Sequence, residues 1–135
     1  MGPKLLQRLI ALAAVALLAG VVALAATSAG RDDESDLPAR SGDYTARAGS
    51  RGPGAFGKAT ACSGVLRADT EGVAHPVLPC GARIYISYGG MDVLTQVVDR
   101  GPYVPGREFD LTDALARRLG LRGVQNIRWS YARAT

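Results

Sequence analysis

The sequence predicts an exported, all-β domain: a small closed barrel of short strands with one short helix. Three observations carry this. An uncharged apolar run, Leu9 to Ala26, follows the basic residues Lys4 and Arg8. From Ala55 onward, short alternating segments are punctuated by Gly- and Pro-bearing turns, the pattern of a barrel built from hairpins. Cys62 and Cys80 are the chain's only two cysteines, and in an exported chain such a pair reads as a disulfide.

Residues 1–30 read as a signal peptide or an N-terminal membrane anchor. Eighteen uncharged residues lie between the length of a signal core and that of a membrane span. Ala23-Leu24-Ala25 and Thr27-Ser28-Ala29 are small-residue sites a signal peptidase accepts, whereas the length of the run favours retention. In both cases Lys4 and Arg8 hold the N-terminus inside and send the rest out. Residues 31–54 carry acids first, then Ser, Gly, Pro and Arg, with few large apolar side chains. Such a stretch buries too little to offset its ordering entropy, so a disordered linker is expected. The folded domain is placed at residues 55–135, the size of one modest domain. The chain's formal charge of +4 includes Lys4 and Arg8, so 14 basic and 12 acidic residues remain beyond them. That balance gives no reason to expect nucleic acid as a partner, and the membrane enters only through the N-terminal segment. A monomer is expected.

Within the domain, Phe56 to Ala61 is a weak first strand. Residues 82–88, ARIYISY, alternate well, Gly89-Gly90 makes a turn, and 91–98, MDVLTQVV, return as the hairpin partner. Leu111, Leu115 and Leu119 fall on one helical face, with Asp110 or Thr112 as cap and Gly120 as stop. Residues 124–132, VQNIRWSYA, form the last strand. The Cys62–Cys80 bridge should stabilise the fold by roughly 3 kcal/mol. A metal site combining the thiolates with His75 is the weaker alternative, because there is no second His and no CxxC spacing. No metal or cofactor is expected.

The candidate site lies in Gln96–Leu111, QVVDRGPYVPGREFDL. Pro102 and Pro105 fix φ while Gly101 and Gly106 admit turn conformations, so the loop should be rigid. Asp99 directly follows an apolar strand, where a carboxylate is either paired or raised in pKa. Asp99, Arg100, Arg107 and Asp110 form either an ion-pair brace for the turn or a site; Asp110 is assigned to the brace. Tyr103, beside Asp99, is the best-placed aromatic for binding, and Tyr85, Tyr88 and Trp129 read mainly as packing.

GKATAC (57–62), GVAHPVLPCGARIYI (72–86) and VVDRGPYVPGREFDLTDALARRLG (97–120) together resemble the rare lipoprotein A (RlpA)-like family, the septal-ring lytic transglycosylases. Expansins and barwin-like proteins share the barrel. The resemblance implies a six-stranded double-psi β-barrel with one or two short helices. It also implies cleavage of the bond between N-acetylmuramic acid and N-acetylglucosamine in peptidoglycan, with a 1,6-anhydro product. By position, Asp99 matches the family's catalytic aspartate and His75 the histidine facing it. One carboxyl group can protonate the leaving oxygen and then accept the proton of the sugar's 6-hydroxyl. His75, Arg100, Arg107 and Tyr103 would bind the sugar or orient that acid. The family's Gly-Glu segment before the histidine is replaced here by Ser63-Gly64-Val65-Leu66, and the nearby Asp69 and Glu71 stand in a different context. The competing expectation is an expansin-like module that binds glycan without cleaving it. The implied partner is a peptidoglycan glycan strand, outside the cytoplasm, with the domain secreted or anchored at the outer face of the membrane.

Overall fold

The computed structural model describes residues 2–4 and 37–133. The apolar run Leu9 to Ala26 of the expected leader therefore lies outside the described residues. Residues Pro38–Thr135 make up one compact unit. Among the described residues from 38 onward, six strands, β1 (Arg40–Ser50), β2 (Val73–Ala74), β3 (Arg83–Tyr88), β4 (Met91–Asp99), β5 (Phe109–Leu111) and β6 (Gln125–Ala132), and one α-helix, α1 (Asp113–Leu119), follow in chain order. The strands close in the order β1-β5-β2-β4-β3-β6. Two pairs are parallel, β1 with β5 and β2 with β4, and the others are antiparallel. This is the double-psi barrel that the resemblance implies.

The β3–β4 hairpin forms where Gly89-Gly90 predicts it, with Tyr88 opposite Met91. Both glycines hold positive φ, 60° and 79°, as a two-residue hairpin turn requires. Thr112 caps α1 by accepting from the Leu115 amide at 3.4 Å, and Gly120 ends it in the left-handed conformation. Leu115 and Leu119 turn inward from the helix, but Leu111 belongs to β5, one residue before the cap. Ile84, Ile86, Val93, Val97, Phe109, Leu111, Leu115 and Ile127 form the heart of the core.

Two expectations are corrected. Part of the stretch expected to be a disordered linker, residues 31–54, is strand β1, paired with both β5 and β6. Its core face consists of Ala46 and Ala48, both buried, residues too small to register as an apolar strand by composition. Residues Phe56 to Ala61 do not form the expected first strand. A 3-10 turn at Pro53–Ala55 leads into a loop held by an isolated Ala59–Val65 bridge. Cys62 and Cys80 are bonded, with Cα atoms 5.5 Å apart, and fasten this loop beside β4.

Candidate active site

Asp99 is the last residue of β4, whose buried positions are Val93, Thr95, Val97 and Asp99. The strand's inward alternation thus ends on a carboxylate, only 8% exposed, and a buried charge needs partners. It has three. The Ala61 and Arg100 amides donate to Oδ1, each at 2.8 Å, and the Arg51 guanidinium pairs with Oδ2. Burial pushes the carboxyl pKa up, but the two amides and Arg51 outweigh it and hold the group below the usual carboxylate range.

His75 follows β2 directly, and its backbone N–H donates to the Asp99 carbonyl at 3.2 Å. The parallel β2–β4 pairing therefore sets the two residues on adjacent strand ends. Its Nδ1 accepts from the Val77 and Leu78 amides, both at 3.1 Å. An acceptor Nδ1 leaves Nε2 as the N–H of the neutral ring. Burial lowers the ring's pKa, with the Glu108 carboxylate pulling it up and the Arg100 charge pushing it down. The ring packs on Phe109 at 4.7 Å between centroids. Among the described residues no hydrogen bond or ion pair joins the side chains of His75 and Asp99.

The other expected site residues divide by position. Arg100 donates to the Leu78 carbonyl at 2.6 Å and the His75 carbonyl at 3.3 Å, so its side chain holds the turn after His75. Arg107 Nε lies 2.9 Å from Asp110 Oδ1, but the N–H is misaligned and neither atom gains a hydrogen bond; the contact is an ion pair only. Asp110 also faces Arg51 Nε at 3.7 Å, and the helix cap is Thr112 instead. Tyr103 stands 77% exposed on the loop. Sequence reasoning missed Arg51, which bridges Asp99, Asp110 and the Arg100 carbonyl. The stapled loop that carries Ser63–Leu66 offers Asp99 the Ala61 amide, while Glu71 pairs with Arg118 of α1 at 2.7 Å.

Residues 50–131 match the family model described as Lytic transglycolase. The chain belongs to the lytic transglycolase family. It is 35% identical over 80 residues to the Probable endolytic peptidoglycan transglycosylase RlpA of Synechocystis, a match covering 56% of this chain and 25% of the relative. It is 37% identical over 76 residues to the Endolytic peptidoglycan transglycosylase RlpA of Yersinia pestis, covering 55% of this chain and 21% of the relative. The chain thus spans about a quarter of the length of these relatives. Among solved structures it is similar to the Streptomyces papain inhibitor, at 25% identity and TM-score 0.56, covering 73% of this chain and 100% of the inhibitor. It is also similar to a Clavibacter michiganensis expansin solved with cellohexaose, at 22% identity and TM-score 0.57, covering 70% of this chain and 52% of the expansin.

In this lytic transglycolase barrel the arrangement has definite chemical capacities. An ionised carboxylate held by preorganised donors can stabilise a developing positive charge and accept a proton. A neutral imidazole donating from Nε2 can hydrogen-bond a sugar oxygen. Proton donation by Asp99 first requires its protonation, which Arg51 opposes.

Proposed function

We propose that the barrel acts outside the cytoplasm as a peptidoglycan lytic transglycosylase, with Asp99 as acid and base and His75 as its companion. The observation that carries the reading is the juxtaposition of Asp99 and His75 on paired strand ends, in a chain whose relatives are named as peptidoglycan transglycosylases. The reaction balances on one carboxyl group. Asp99 gives its proton to the leaving glycosidic oxygen, the 6-hydroxyl oxygen attacks the sugar carbon, and that hydroxyl's proton returns to Asp99. The cost of protonating Asp99 falls when Arg51 leaves it for Asp110, 3.7 Å from Arg51 Nε.

The Asp99–Arg51 pair also favours a second reading, a wall-loosening module that binds glycan without cutting it. The two readings separate when the full chain is incubated with purified peptidoglycan and the soluble products are analysed by mass spectrometry. Anhydro-muropeptides are the expected result, and binding without them selects the second reading. Asp99→Asn keeps the shape of the side chain but removes the proton transfer, so product formation should fall about 10²–10⁴-fold while glycan binding persists. Undiminished cleavage by the folded variant would sink the assignment of Asp99.

A further inference from the structure

Tyr44, Trp129 and Tyr131 make an aromatic corner that the proposed chemistry leaves unused. Tyr44 and Trp129 are direct cross-strand partners on β1 and β6. Their rings lie 4.7 Å apart at 32°, and Tyr131 meets both edge-on, at 6.0 and 5.0 Å. A bulge between Ser41 and Tyr44 turns the strand there. Gly42, with φ +81°, lies under the Tyr44 ring so closely that a Cβ on it would come within 2.3 Å of the ring. Only glycine lets that ring take this position. Although packed on one another, Tyr44 and Tyr131 remain 44% and 37% exposed.

Inside the barrel the corner packs against the ring that backs His75, the fully buried Phe109. From His75 the rings run through Phe109 to Trp129 and on to Tyr44, in centroid steps of 4.7, 5.3 and 4.7 Å. Its rim is polar: a cleft beside Trp129 is lined by Arg40, Asp43, Asp92 and Arg128, charges matched in the pairs Arg40–Asp92 and Arg128–Asp43. Partly exposed tyrosine rings set against a tryptophan suit the C–H face of a pyranose, and guanidinium and carboxylate groups suit its hydroxyl and acetamido groups. Matched charges offer little to a partner of one sign. We infer that Tyr44, Trp129 and Tyr131 form a binding subsite for the glycan strand, holding sugars away from the bond at Asp99. The inference rests on the glycan-directed reading of the preceding subsection. It lies partly beyond the family match at residues 50–131, because Tyr44 precedes it.

Trp129 is the only tryptophan in the chain, so intrinsic fluorescence reports on this corner directly. The test titrates the full chain with a soluble β-1,4-linked N-acetylglucosamine hexamer and, in parallel, assays binding and cleavage of purified peptidoglycan. The expected result is a saturable change in Trp129 emission. Affinity should fall about tenfold in Tyr44→Ala, fall in Gly42→Ala and persist in Tyr44→Phe, with cooperative thermal melts showing that each variant is folded. Equal affinity for hexamer and peptidoglycan in wild type and Tyr44→Ala overturns the subsite and leaves the proposed function standing. So does an emission change that follows protein concentration instead of sugar, which puts a second copy of the chain on the rings. A wild-type protein that neither binds nor cleaves peptidoglycan overturns both readings.

Discussion

Burial alone raises the pKa of the Asp99 carboxyl, and the donors that reverse it differ in kind: two are backbone amides and one, Arg51, carries charge. Arg51→Gln removes the charge and leaves the amides, so the Asp99 pKa should rise relative to wild type, read as a titration of its side-chain carboxyl carbon by NMR. An unchanged or lower value would show that Arg51 does not govern the group. The same balance sets a pH dependence. A carboxyl whose folded pKa is depressed below an unfolded value of about 3.9 contributes stability above about pH 4 and loses it as pH falls through the folded pKa. Wild type should therefore be more stable than Asp99→Asn near neutral pH by denaturant titration, with the gap narrowing toward pH 3. A constant gap would refute the linkage. His75 acts in the same direction, because a lowered imidazole pKa means that acidification below about 6.5 favours the unfolded chain. Asp99 and His75 were singled out because DRGP and AHPVLP, the local runs that carry the family resemblance, hold them. Arg51 was not, because it meets Asp99 across 48 positions of chain, and its own surroundings read as linker.

At the scale of the element, the loop from Gly57 to Leu66 links fold to site. It is closed by the Gly57 amide on the Leu66 carbonyl and the Leu66 amide on the Lys58 carbonyl, at 2.8 and 3.0 Å. The Cys62–Cys80 bond fastens it one residue beyond the amide that holds Asp99. Replacing both cysteines by serine should cost about 3 kcal/mol of stability, measured by denaturant titration. It should also speed hydrogen exchange at the Ala61 amide relative to amides in β3. Unaltered exchange at Ala61 would mean that the loop holds its place without the staple. The bond was readable from two cysteines in an export context, whereas the loop was misread as a strand. Alternation at Phe56 to Ala61 supplies no partner, and Gly57 at φ 81° breaks the extended backbone. The helix was read more closely, since Thr112 and Gly120 are local signals. Its first expected leucine, Leu111, went to β5, because a capping residue excludes what precedes it from the helix.

Closure of the barrel depends on β1, which hydrogen-bonds to β5 on one side and β6 on the other. Its misassignment to the linker has a physical source: Ala46 and Ala48 fill the narrow interior opposite Ile127 and Phe109, and composition scores small residues as uncommitted. Strand order is a property of the whole molecule. No local pattern in Arg40–Ser50 reveals that its neighbours are Phe109–Leu111 and Gln125–Ala132. A chain starting at residue 55 lacks the strand, leaves β5 and β6 with unpaired edges and opens the core around Phe109 and Ile127 to water. It also lacks Arg51, so the buried Asp99 loses its charged partner. A chain of residues 38–133 should therefore melt cooperatively, while one of residues 55–133 should show no cooperative transition by circular dichroism and should aggregate or remain unfolded. If residues 55–133 melt as sharply and at the same temperature as 38–133, β1 is dispensable to the barrel. The Arg51 brace and the Tyr44 corner would then lose their structural basis together.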